Sequence, residues 1–164
     1  MPLEIERKFL VVGDAWRAQV ARSTRMRQGY LAGEGGRASV RIRVQRDAAW
    51  LNIKAAVIGS ARAEYEYSIP LAEANEILDT LCVGLIDKTR HYVDFGGTLW
   101  EIDEFEGDNA GLIVAEVELQ EVDEAFERPD WLGVEVTDDR RYYNHALALQ
   151  PYRNWRAQAT APGS

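Results

Sequence analysis

Apolar and polar residues alternate with a period of two along most of this chain, the spacing that sends a strand's successive side chains to opposite faces. It predicts strands near 3–11, 27–32, 38–46, 49–57, 62–69, 86–95, 98–105 and 112–119. Turn-like breaks separate several of them: Gly33-Glu34-Gly35-Gly36, Gly59-Ser60 and Gly96-Gly97. The last pair, between two strand-like runs, is a two-residue hairpin signal. Helices are predicted at 71–80 (behind Pro70), at 121–127 and at 141–149, where Pro151 closes the pattern. There is no internal repeat and no long linker. Eight antiparallel strands in one small unit predict a sandwich or a closed barrel, and closure removes the exposed edges. The fold class is therefore an all-β-dominated α+β chain with a few peripheral helices. From about 157, Ala-Gln-Ala-Thr-Ala-Pro-Gly-Ser has too little apolar bulk to offset ordering entropy. One domain over 1–156 and a flexible tail over 157–164 are expected.

The polar phase of these strands is unusual because it is nearly all charge. Glu4, Glu6 and Lys8 share one face of the first strand, while Leu3, Ile5 and Phe9 take the other. Downstream, Arg41 and Arg43, then Lys54, Glu64 and Glu66, Lys88 and Arg90, Glu101 and Asp103, and Glu116 and Glu118 repeat the arrangement. A polar outer face is the ordinary property of an antiparallel sheet. Like charges at i and i+2 are mutually unfavourable, however, unless counter-charges, a metal or a charged ligand balance them. A barrel interior lined this way would hold a polyanion on its bases and divalent cations on its acids.

Composition narrows the ligand. The 164 residues suit one domain, and 19 Lys+Arg against 27 Asp+Glu give a formal net charge of −8. That balance argues against a partner that is a nucleic-acid polymer or an anionic membrane. The single Cys82 excludes an intrachain disulfide framework, and with only His91 and His145 a structural zinc site has no ligand set. Paired carboxylates suit Mg²⁺ or Mn²⁺, and Arg and Lys suit phosphate oxygens. Gly33 to Gly36 lacks the lysine and helix of a phosphate-binding loop and reads as a hairpin turn. The start is charged at once, without a signal peptide's apolar stretch, and no window approaches the ~18 apolar residues of a membrane span. A cytoplasmic monomer or homodimer is expected.

Glu4-Ile5-Glu6-Arg7-Lys8 has the E-x-E-x-K pattern of the CYTH family, also called triphosphate tunnel metalloenzymes. The small bacterial members also resemble this chain at Arg27-Gln28-Gly29-Tyr30-Leu31, Arg41-x-Arg43, Lys54 and Glu64-x-Glu66. Further matches are Lys88-x-Arg90, Glu116-x-Glu118 and Val136-Thr137-x-Asp139-x-Arg141-Tyr142-x-Asn144, in order along nearly the whole chain. The resemblance implies an eight-stranded antiparallel barrel whose charged interior is a tunnel for a triphosphate group. It implies Lys8, Arg41, Arg43, Lys54, Lys88 and Arg90 as phosphate-gripping bases, and Glu4, Glu6, Glu116 and Glu118, with Asp103 a further candidate, as metal-binding acids. Lys8 with Tyr30 resembles a pair given a catalytic role in relatives. Arg140 stands where small relatives often have Lys, so its phosphate contact differs in kind.

The resemblance thus implies a Mg²⁺- or Mn²⁺-dependent hydrolase of inorganic triphosphate. A class IV adenylate cyclase, a thiamine triphosphatase and a polyphosphate-binding module without turnover are the alternatives. No base-reading or thiazolium-reading element is visible, which favours the simplest substrate. Other residues carry less: the five tryptophans and His91 read as packing or structural residues, with Trp100 outside the tunnel. Cys82 reads as an inert core thiol, the acids of 121–127 as a solvated helix face, and Asp139 as a partner of nearby backbone or a base.

Overall fold

The computed structural model describes residues 3–33 and 35–159. Nine strands form: β1 (Leu3–Val11), β2 (Arg22–Tyr30), β3 (Ala38–Gln45), β4 (Ala48–Ala55), β5 (Ala61–Ile69), β6 (Gly84–Phe95), β7 (Thr98–Phe105), β8 (Ile113–Glu118) and β9 (Leu132–Glu135). The sheet order is β5-β4-β3-β2-β6-β7-β8-β1-β9, and an added β1–β5 pairing closes eight antiparallel strands into a barrel. Closure rests on a forked β1. Its residues 3–5 pair with β5, residues 6–10 pair with β8 along the other edge, and Phe9 and Val11 pair with β9 across a register shift.

Two stretches of the outward phase are apolar and covered. Phe9, Val93, Trp100, Ile102 and Val117 pack under Trp16 and Trp131, with Phe126 against them. The helix α1 (Leu71–Thr80) covers β3 and β4 by placing Ala74 and Leu78 on Ile42 and Ala49. The inward phase changes character along the barrel. At one end Tyr30, Ile86, Phe105 and Val114 meet Tyr142 and Leu147, the latter from α2 (Asn144–Leu149), together with Trp155. This apolar plug stops the interior at that end and leaves the remaining length charged.

Several expected bounds shift. β2 starts at Arg22 rather than 27, because Arg22-Ser-Thr-Arg carries polar residues in both phases and gives no hydrophobic alternation. The turn at Gly96-Gly97 forms with both glycines at positive φ. No helix forms over 121–127: Val122 is exposed, Phe126 is a lone apolar anchor, and Pro129 follows closely. The acids there line a loop, in which Glu124 accepts the Gln120 N–H. The pattern at 141–149 divides into a 3-10 turn at Arg140–Tyr142 and then α2. β9 has only four residues and no alternation long enough to announce it. Within the expected tail, Arg156–Ala159 makes a short helix, α3, and 160–164 lie outside the described residues. Cys82 is half-buried rather than enclosed, since Leu81 and Val83 beside it are exposed.

Candidate functional site

Strand geometry assembles the site. Glu4, Glu6 and Lys8 on β1 face inward, and antiparallel register sets Glu6 opposite Glu118 and Lys8 opposite Glu116. β7 then places Glu101 opposite Glu116, and β6 places Arg90 opposite Asp103. On the far wall Tyr30 lies opposite Arg41, Gln28 opposite Arg43, and Lys54 opposite Glu64. All of these side chains except Asp103 line one cavity of about 610 Å³.

Near the plug the charges form tight, buried pairs. Lys8 Nζ lies 2.7 Å from Glu116 and 3.1 Å from Glu6. Lys88 Nζ lies 2.7 Å from Asp103, whose carboxylate also accepts Arg90 at 2.7 and 2.9 Å. Burial works against the Lys8 charge, but Glu116 and Glu6 more than offset it and raise its pKa. Burial prevails at Lys88, which is pulled down to about 8 in spite of Asp103. Burial opposes ionisation of Glu116 too, yet Lys8, Arg90 and Lys88 hold it well below the usual carboxylate range.

On the facing wall of β3–β5 most contacts lengthen. Arg41 to Glu64 is 3.7 Å, Arg43 to Glu66 3.4 Å and Arg62 to Glu6 3.6 Å, although Lys54 keeps a 2.7 Å contact to Glu4. Arg43 Nε is buried with no hydrogen-bond partner, and burial together with Arg41 lowers the Arg43 pKa. A buried donor without an acceptor costs roughly 1–3 kcal/mol, so this group is suited to an incoming anion. Asn52 ties the wall together: its Oδ1 accepts from Arg41, and its Nδ2 donates to Glu64 and Glu66.

The acids test the fit of a divalent cation. Burial and the neighbouring Glu64 push Glu4 up, and burial with Glu4 and Glu6 pushes Glu118 up. Crowded hard-oxygen donors that oppose one another's charge are relieved by a divalent ion, so the donor set fits Mg²⁺-like chemistry. Among the described residues no three or more carboxylates, His or Cys are already drawn into a coordination group, because the bases hold them apart.

Two expected residues stand elsewhere. Asp103 is fully buried and absent from the cavity lining, its carboxylate already taken by Lys88 and Arg90. Arg140 is exposed and lines a second cavity of about 150 Å³, with Arg62, Tyr143 and His145, instead of the tunnel. Asp139 pairs with the Arg141 guanidinium and accepts its N–H, while His91 bonds Ser23 and Glu104 on the outer face. Sequence reasoning missed Arg62, although it shares the phase of Glu64 and Glu66. It also missed the lining residues Tyr143 and Asn144, which precede and open α2 and lie outside the strand periodicity.

A family model described as the CYTH domain matches residues 2–145. An inorganic triphosphatase of Acetivibrio thermocellus is 46% identical over 157 residues, covering 95% of this chain and 99% of that protein. An inorganic triphosphatase of Nitrosomonas europaea is 36% identical over 149 residues, covering 89% and 97%. A crystal structure of an inorganic triphosphatase superposes with a TM-score of 0.66 at 34% identity, covering 91% of this chain and 96% of that one. The closed barrel, its charged cavity and a match over nearly the full length agree: the chain belongs to the CYTH domain family.

Proposed function

We propose that this protein hydrolyses inorganic triphosphate to pyrophosphate and orthophosphate with a divalent metal ion, Mg²⁺ or Mn²⁺. The observation that carries the reading is one cavity lined by opposed bases and acids, with the buried Arg43 Nε lacking an acceptor. The relatives named above as inorganic triphosphatases support the same substrate.

Arg41, Arg43 and Arg62, the loosely held cations, bind the phosphate oxygens together with Lys54, and Lys8, Lys88 and Arg90 extend that grip from the opposite wall. A triphosphate carries roughly four to five negative charges at neutral pH, which this set of bases balances. Glu4, Glu6, Glu116 and Glu118 are the residues that would hold the metal. When bound, it supplies charge neutralisation and a more acidic water. The oxygen of water forms the new bond to a terminal phosphorus, and the anhydride P–O bond breaks. Its electron pair leaves with pyrophosphate; of the water's two protons one stays on orthophosphate and the other passes to solvent. Burial raises the Tyr30 pKa against the opposing pull of Arg41, so the phenol stays neutral and able to donate to a phosphate oxygen. The chain's part is positioning and fixed charge.

A phosphate-release panel over tripolyphosphate, pyrophosphate, ATP and thiamine triphosphate, with cyclic AMP detection, tests the assignment. Tripolyphosphate should be the preferred substrate, and release should stop on chelation of the metal. Turnover of ATP to cyclic AMP with tripolyphosphate untouched would replace the hydrolase with a cyclase.

A further inference from the structure

A chain of buried side chains runs from the tight ion pairs to Tyr30, and its hydrogen-bond polarity can be worked out link by link. Asp103 accepts from Lys88 Nζ at 2.7 Å. The Lys88 ammonium has only donors, so the Asn144 atom 3.0 Å from it must be the amide oxygen. An amide oxygen can only accept, which fixes the Gln28 atom 3.2 Å away as the NH₂ group. That same NH₂ lies 3.4 Å from the Tyr30 hydroxyl, whose oxygen must then accept. Arg41, opposite Tyr30 in the β2–β3 ladder, places a second donor, a cationic one, beside the phenol oxygen. With donors on both sides of that oxygen, the hydroxyl hydrogen is left to point into the cavity that Tyr30 lines. The ring cannot easily swing away, because His145 stacks on it at 4.5 Å and 6°. Gln28 is 1% exposed and contributes no charge, so its burial calls for a role that a neutral amide can fill.

We propose that Gln28 and Asn144 are positioning residues that fix the direction of the Tyr30 hydroxyl, making it a hydrogen-bond donor to a phosphate oxygen in the tunnel. The inference deepens the triphosphatase reading and rests on it for its kinetic test. Lys88 supplies the polarity, the two amides transmit it, and Tyr30 delivers it to the ligand.

Gln28→Glu inverts the link, since a carboxylate accepts from the phenol and turns its hydrogen away from the cavity. With tripolyphosphate and Mg²⁺, kcat should fall about tenfold or more, with KM within about threefold of wild type, as for a lost transition-state donor. In a Tyr30→Phe background the same substitution should have no further effect, because nothing remains to be oriented. Gln28→Met, which removes the donor without adding charge, should give a smaller loss with the same dependence on Tyr30, and it serves if Gln28→Glu does not fold. Wild-type kcat in Gln28→Glu, or an equal loss with and without Tyr30, would overturn the proposal. If the wild-type protein leaves tripolyphosphate intact, the activity reading falls instead. The same mutant cycle is then read as affinity for non-hydrolysable imidotriphosphate by calorimetry, and additivity there would contradict the polarity relay.

Discussion

The two halves of the tunnel use the same residue types and hold them differently. On the wall of β1 and β6–β8, Lys8, Lys88, Arg90, Asp103 and Glu116 are joined at about 2.7–2.9 Å, all but Arg90 almost wholly buried. On the facing wall of β3–β5, Arg41, Arg43 and Arg62 sit 3.4–3.7 Å from their carboxylates, and one arginine nitrogen has no acceptor. Removing one partner of a buried pair leaves an uncompensated charge, whereas a loose, partly exposed pair contributes little. The half built from β1 and β6–β8 is therefore a permanent scaffold that also faces the ligand. The half built from β3–β5 is where an anion gains most by replacing weak protein contacts.

Asp103→Asn should produce the largest effect, since it takes the shared acceptor away from both Lys88 and Arg90. A loss of roughly 3–5 kcal/mol in chemical denaturation is expected. A loss under 1 kcal/mol would erase the distinction between the halves. Glu4→Gln should change ligand-free stability by less than about 1 kcal/mol, because burial and Glu64 already oppose its charge. Metal affinity, measured by titrating Mn²⁺ into the protein with imidotriphosphate present, should drop about tenfold as a hard anionic ligand is lost. Unchanged affinity with lost turnover would move Glu4 from metal binding to water activation.

A further effect concerns pH. Lys88 titrates at about 8 in the folded chain against 10.5 as its ordinary value. Between those values the unfolded state binds more protons, so this group makes stability rise with pH across the window. Stability measured at intervals from pH 8 to 10 should show that rise in wild type and a flatter curve in Lys88→Met. An identical slope in both would mean that Lys88 keeps its proton.

Alternation made the barrel and most of its lining legible before any coordinates, because a strand's period fixes which residues share a face. It could not tell depth. Lys8 and Leu10, Lys88 and Ile86, Asp103 and Phe105, and Glu116 and Val114 lie in the same phase two residues apart. One member of each belongs to the charged half, and its neighbour lies at the plug. Only the packing of Tyr142, Leu147 and Trp155 decides where the charged half stops. The resemblance made Asp103 a further candidate for the metal set; phase gives its face alone, while the two cations that pair with its carboxylate come from β6 and depend on register. The helix expected at 121–127 failed on a different count: Val122, Ala125 and Phe126 have helical spacing, but only Phe126 packs on the core and Val122 stays exposed.

The most direct test of the β3–β5 half as the anion site compares thermal melts of wild type and Arg43→Ala, with and without imidotriphosphate and Mg²⁺. A ligand that binds only the native state at a hundredfold excess over Kd stabilises by about 2.7 kcal/mol. Wild type should show an upward shift of that order. Arg43→Ala should melt near wild type when empty and lose most of the shift. A large ligand-free loss with the shift intact would contradict the account, because Arg43 would then belong to a structural charge network and not to the substrate site.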